Sequence, residues 1–177
     1  MKSDRNSFWL AVAALILLLV VASLPPTVLA VEPPAVQSFD LTSAAPRAVE
    51  PTTADAIQRN YAHAWQSLAS ALEQNRADLL NEDFVGGART QLQEAIRAQQ
   101  QNGLSRHVTD HGHKVRVNFY SPDGSTIQAT DTADLEIEYR EGNRVLSSER
   151  VRASYIVLLT PAENSWKVRV LQELPPG

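Results

Sequence analysis

The chain predicts an α+β fold in which N-terminal helices pack on a curved antiparallel meander of four strands or more. Two observations carry that prediction. The segment 126–140 alternates strictly, with Ile127, Ala129, Asp131, Ala133, Leu135, Ile137 and Tyr139 on one side and polar residues at every even position from Gln128 to Glu138. The segment 57–72 instead repeats its apolar residues at steps of three and four: Ile57, Tyr61, Trp65, Leu68 and Leu72. The first pattern is a strand with one face on a core, and the second is an amphipathic helix.

The strands follow one another through short turns. In His113–Tyr120, Val115, Val117 and Phe119 alternate with Lys114, Arg116 and Asn118, so the three apolar side chains are expected on one face. Ser121-Pro-Asp-Gly-Ser125 is a turn, since Pro122 presets φ, Asp123 bonds its own backbone and Gly124 accepts positive φ. A second strand runs from Thr126 to about Arg140, and Glu141-Gly-Asn143 turns the chain again. A third strand, Arg144–Thr160, ends in the wholly apolar Tyr155-Ile-Val-Leu-Leu159, which implies cover on both faces. Pro161–Ser165 turns into a last alternating strand, Trp166–Val170. Short turns between consecutive strands predict a meander. Strands longer than the usual ~5–6 residues predict strong twist.

The helical part precedes the sheet. Pro51-Thr-Thr-Ala-Asp55 starts a helix, with Thr52 or Thr53 expected as cap and Asp55 in the first turn, and the helix runs to about Asn75. Arg76–Phe84 reads as a short helix or turn carrying Leu79, Leu80 and Phe84 inward. Gly86-Gly87 breaks the chain. Ala88–Gln101 forms a further helix with Leu92, Ala95 and Ile96 apolar and its glutamines, Gln99 among them, on a solvated face. Asn102-Gly103 stops it, and Leu104–Gly112 leads as an extended segment into the sheet.

Residues 1–31 read as a leader. Lys2 and Arg5 precede Phe8–Leu24, an uncharged stretch of 17 residues. Basic residues on that side put the N-terminus in the cytoplasm and the domain outside. Two readings stay open. As an uncleaved anchor the stretch makes a single-pass membrane protein. As a signal peptide it is cut near Ala30, after Val28-Leu-Ala30, and releases a secreted or periplasmic domain. Residues 32–51, rich in proline, read as an extended linker. Residues 52–177 are the folded domain.

Composition narrows the function. The net charge is −4, and the 16 Lys and Arg are scattered rather than clustered, which argues against nucleic acid as partner. The chain has no cysteine, so disulfides, zinc thiolates, a cysteine nucleophile and a lipidated cysteine are excluded. There is no phosphate-binding glycine loop, no nucleophile elbow and no cofactor motif.

ALEQNRADLLNEDFVGGARTQLQEAI (71–96) and YIVLLTPAENSWKVRVLQE (155–173) together resemble the nuclear transport factor 2-like, or cystatin-like, superfamily over roughly Thr52 to Leu174. Residues 71–96 resemble the link from its long first helix to the next helices. Residues 155–173 resemble its closing hairpin, with Trp166 where the family often has a bulky residue. The resemblance implies a sheet curved around the long helix into a cone. It implies no single activity, because the fold hosts isomerases, dehydratases, cyclases and assembly domains. Membrane-tethered, exported members resemble assembly parts of secretion machines and the lumenal domain of plastid-division proteins, which implies a binding role.

Candidate site residues follow from the two alternations. Asp131 interrupts the apolar face of the second strand between Ala129 and Ala133, and family enzymes work from acidic, His or Tyr side chains in the cone mouth. A carboxylate there is placed to act as a general base. Glu149 and Tyr155 on the third strand are further candidates, Tyr155 as a hydrogen-bond donor. The steroid-isomerase tyrosine and aspartates do not align onto this chain. His107, His111 and His113 form another set. In a regular strand His111 and His113 share a face and can chelate a metal, unless Gly112 bulges the strand. No carboxylate pair or helical His partner completes a ligand set, and His63 falls off the apolar stripe onto the surface. No cofactor is implied.

The leading expectation is therefore an extracytoplasmic domain, anchored in the membrane if its leader is uncleaved, that binds a protein partner or self-associates and does no catalysis. The alternative is a small-molecule-binding or lyase/isomerase-type enzyme using the cone with Asp131 as base. Family dimers often form through the outer sheet face, but Gln128, Thr130, Thr132, Asp134, Glu136 and Glu138 would make that interface charged.

Overall fold

In the computed structural model, residues 36–175 are described, and the expected leader lies outside them. The elements are β1 (Val36–Asp40), β2 (Ala45–Pro46), α1 (Pro51–Gln74), a 3-10 turn (Ala77–Leu80), α2 (Gly86–Gln101), β3 (Ser105–Tyr120), β4 (Ile127–Glu141), β5 (Arg144–Ala162) and β6 (Ser165–Glu173). Strands β3 to β6 form the expected antiparallel meander, and the helices cover one face. No helix among the described residues is long and apolar enough to cross a membrane.

Helix α1 forms for the reason its spacing implies. Ile57, Tyr61, Ala64, Trp65, Leu68, Ala71 and Leu72 are all buried against the sheet. Its start differs from expectation. Pro51 takes the first turn and Glu50 is the cap residue without a side-chain bond, so Thr52 and Thr53 are helical and no acidic residue lies in the first turn. Proline suits that position, because the amide it lacks would have no helical partner there. The helix ends on Asn75 in the left-handed region at φ 54°.

Three further differences come from long-range packing. The segment expected as part of a proline-rich linker contributes to the sheet instead: β1 and β2 pair in parallel with β3, Val36 opposite His113 and Ala45 opposite Phe119. The ladder shifts register between Val117 and Phe119, so Tyr120 is buried and Phe119, expected inward, is 38% exposed. An extra residue on one strand exchanges the faces. Gln99, expected in solvent, is buried. Its amide donates to the Leu72 carbonyl at 2.5 Å and to Asn75 Oδ1 at 2.6 Å, and its Oε1 accepts from Arg106 Nε at 2.8 Å.

The core lies between the helices and the sheet face they cover. Ile127, Ala129, Asp131, Ala133 and Leu135 of β4 are buried, while Ile137 and Tyr139 emerge toward the strand's end. Val157 and Leu159 of β5 are buried, and Ile156 and Leu158 on its other face are half-buried. Leu80 and Phe84 are buried in the core, as expected.

Candidate functional site

The helix-covered face of the sheet holds two chemically different regions. One is a sealed polar knot around Asp131. The other is an apolar cleft beside it.

The knot draws its members from three elements. β4 presents Asp131 inward, β3 presents His113 with the same parity as Val115 and Val117, and α1 presents Tyr61 one turn before Trp65. Asp131 and His113 are both fully buried. His113 Nδ1 lies 2.7 Å from Asp131 Oδ2, and the Tyr61 hydroxyl donates to the same oxygen at 2.6 Å. A carboxylate oxygen only accepts, so Nδ1 carries a hydrogen and donates it to Asp131. The other imidazole nitrogen faces Asp110 Oδ2 at 3.2 Å, an ion-pair distance without hydrogen-bond alignment. Burial works against charge on His113, but the nearby carboxylates of Asp110 and Asp131 outweigh it and raise the imidazole to about 9. Burial, reinforced by the Asp131 charge, pushes the Tyr61 phenol well above its ordinary range. Tyr61 therefore stays a donor.

Aromatic side chains close the knot. The Trp65 ring packs on the His113 ring with centroids 4.5 Å apart, and Tyr155 meets Trp65 edge-on at 5.6 Å. Trp65 and Tyr155 line the cleft, and neither Asp131 nor His113 does.

The cleft measures about 430 Å³ and lies between the helices and the outer half of the sheet. Its walls are Leu68 and Leu72 of α1, Leu92 and Ala95 of α2, and Val108, Leu135, Ile137, Val151 and Leu171 of the strands. The polar groups sit apart from one another. Arg106, Tyr139 and Glu149 stand together at one end, where the Tyr139 hydroxyl donates to Glu149 Oε1 at 3.2 Å. Glu173 stands beside Tyr155 at the other, and burial, with the charges of Glu173 and Asp131, pushes the Tyr155 phenol up to about 12. A hollow of about 450 Å³ on the opposite sheet face is lined mostly by polar side chains such as Lys114, Arg116, Asn118 and Thr130. Of these two spaces, the cleft offers the apolar surface of the kind that binds ligands or partner segments.

The sequence candidates thus separate. Asp131 and Tyr155 are direct neighbours across the β4–β5 ladder. Glu149 lies six residues along β5, roughly 20 Å away at strand rise, so the three do not form one site. The imidazoles of His111 and His113 part company at Gly112, which has φ 137° and follows a register shift. His113 turns inward, and His111 Nε2 bonds Glu136 Oε2 at 3.2 Å on the outer face. His107 bonds Glu73 at 2.8 Å. His63 is largely exposed, as expected, but its Nδ1 bonds the buried Asp83, which also accepts from Ser67 at 2.5 Å. Among the described residues, no group of three or more His, Cys, Asp or Glu could hold a metal ion. Sequence reasoning missed the joining of His113 and Tyr61 to Asp131. Both carried a signal, since each lies in phase with the apolar residues of its own element.

No protein-family model matches the chain. No curated protein matches it either. Among solved structures the chain is similar to the intermembrane space region of the chloroplast protein ARC6, at 16% identity and a TM-score of 0.59, over 74% of this chain and 100% of that one. It is also similar to a putative dehydratase of the NTF2-like family from Streptomyces avermitilis, at 11% identity and a TM-score of 0.48, over 69% and 98% of the two chains. A third is a protein of unknown function with a cystatin-like fold from Nostoc punctiforme, at 13% identity and a TM-score of 0.43, over 71% and 92%. At 16% identity the likeness to the ARC6 region speaks to the α+β fold and not to an activity.

Proposed function

We propose that the domain works outside the cytoplasm as a non-catalytic binding module, and that the apolar cleft receives its protein partner. The observation that carries this is the separation of chemistry from access. Asp131, the best-placed base, is fully buried and not among the cleft residues, and its Oδ2 already accepts from His113 and Tyr61. The accessible space is walled by leucine, isoleucine and valine, and its carboxylates stand at opposite ends. Export rests on the uncharged stretch Phe8–Leu24 behind Lys2 and Arg5. If the leader stays on the chain, it holds the domain at the membrane.

Site-specific photo-crosslinking in the native cell tests this reading. A benzophenone side chain at Val151 in the cleft is expected to capture a defined protein, and one at Thr130 on the outer face is not. Leu92→Arg, which puts a charge into the cleft, is expected to abolish the Val151 adduct. No adduct at Val151, or one indifferent to Leu92→Arg, would overturn the proposal. A substrate whose turnover is lost in Asp131→Asn, with the fold intact, would establish the enzymatic alternative instead.

A further inference from the structure

Among the described residues, the sheet ends on one side in an edge with no strand beyond it. β6 pairs with β5 only from Tyr155 to Ala162, and the last bond to that side runs from the Leu174 amide to the Ser154 carbonyl at 2.7 Å. Pro175 follows and has no amide hydrogen to give. Among the described residues no strand pairs with the outer side of β5 before Ser154.

Which groups that edge presents follows from the ladder. In an antiparallel pair, alternate residues turn both N–H and C=O away from the neighbouring strand. Ser154 turns its carbonyl outward, toward Leu174. The β4–β5 register is unbroken from Ser154 down to Ser147. Arg152, Arg150 and Ser148 therefore point their N–H and C=O groups outward as well. These are unused pairing groups, a template for another strand.

The side chains decide which strand fits. Arg150 and Arg152 are 62% and 76% exposed and share one carboxylate, Asp134. Arg150 takes both its oxygens, at 2.8 and 3.1 Å, while Arg152 stands at 3.6 Å. On the outer face Arg150 and Arg152 are the charged side chains of the edge strand itself, with Asp134 and Glu136 behind them on β4 and Glu149 on the opposite face. A second copy of the chain is a poor match. Two-fold registers centred on Glu149, Arg150 or Val151 place Glu149 on Glu149, Arg150 on Arg150, or Arg150 on Arg152. Like charges directly opposite destabilise a strand pair. On the other face of the same stretch, Val151 belongs to the cleft wall.

We infer that the β5 edge, Ser147–Ala153, binds an extended segment of another protein by strand addition, and that this segment alternates acidic residues with apolar ones. Its backbone pairs with Ser148, Arg150 and Arg152. Its acidic side chains lie over Arg150 and Arg152, and its apolar side chains continue the cleft wall beside Val151. This mode draws affinity from main-chain bonds and specificity from alternate side chains. The inference rests on reading the domain as a binding module.

The test uses the full chain and two fluorescein-labelled heptapeptides, one alternating valine with glutamate and the other valine with lysine. Anisotropy titration is expected to show the glutamate peptide binding at least about tenfold more tightly. Amide exchange at Ser148, Arg150 and Arg152 is expected to slow by at least about tenfold when it binds. Ser148→Pro removes one outward amide and no bond to β4, so it is expected to cost the glutamate peptide about tenfold or more in affinity. Should that variant fold poorly, Arg150→Glu with Arg152→Glu keeps the backbone and is expected to reverse the preference toward the lysine peptide. Equal binding of both peptides overturns the inference, as does binding unchanged by these substitutions. Slowed exchange at the edge that grows with protein concentration and without peptide would assign it to a second copy, and also overturns it. The Leu92→Arg chain separates this inference from the cleft reading: glutamate-peptide binding retained there supports the edge whatever that variant does to the cleft partner.

Discussion

His113 Nδ1 and Asp131 Oδ2 meet at 2.7 Å where neither residue has any exposed surface. A buried pair of this kind is weak evidence for stability in itself, but losing one member leaves the other's charge without compensation. Around it Trp65 and Tyr155 stand between the pair and the cleft.

Asp131→Ala removes the acceptor of both His113 and Tyr61. The expected loss is about 3–5 kcal/mol of unfolding free energy. Denaturant titration measures it. The double variant with His113→Ala is expected to lose much less than the sum of the single losses, because both act on one interaction.

Stability should fall as the solution turns alkaline. The imidazole is raised from 6.5 to about 9 in the folded state. A raised value means the folded state binds the proton more tightly than the unfolded state does. The contribution is therefore complete below about pH 6.5 and is lost as pH rises through about 9. Melting temperatures from about pH 6 to 10 should decline across that window, and His113→Gln should flatten the decline. An unchanged decline in the variant would assign it to other groups.

Gln99→Leu keeps the side chain's bulk but leaves the Leu72 carbonyl and Arg106 without their partner. The expected cost is about 1–3 kcal/mol. Gln100→Leu, at an exposed neighbour on the same helix, should cost little, and denaturant midpoints compare the two.

Gly124 occupies the turn between β3 and β4 at φ +75°. An added Cβ would also sit 3.3 Å from the Tyr120 hydroxyl and 2.8 Å from Arg47 Nη1. Gly124→Ala is expected to cost about 1 kcal/mol or more. Thermal melting checks it, and Gly103→Ala, where φ is +69° with open space around the glycine, isolates the backbone part.

The parts of the fold legible in sequence are those that repeat locally. The α1 stripe, the alternation of β4, and the turns at 121–125 and 141–143 each declare themselves within a few residues. Asp131 stood out for the same reason, as a charge on an apolar face. Its partners did not, because His113 is 18 residues away and Tyr61 is 70. A tyrosine and a histidine in phase with apolar neighbours look like ordinary core positions until strand register sets them beside a carboxylate. Segment 36–46 was illegible as strand for a related reason. Its composition is that of an extended linker, and only the free edge of β3 makes it part of a sheet.

By itself the sequence determined the α+β class, the meander order and the inward faces of α1 and β4, because side-chain periodicity is a property of a single strand or helix. Tertiary structure alone decided three further matters. A register shift put Tyr120 rather than Phe119 in the core. The bulge at Gly112 parted His113 from His111. Trp65 and Tyr155 line the open cleft while the buried carboxylate behind them does not. Those outcomes depend on how far one element slides along another, and a slide of one residue exchanges inside for outside.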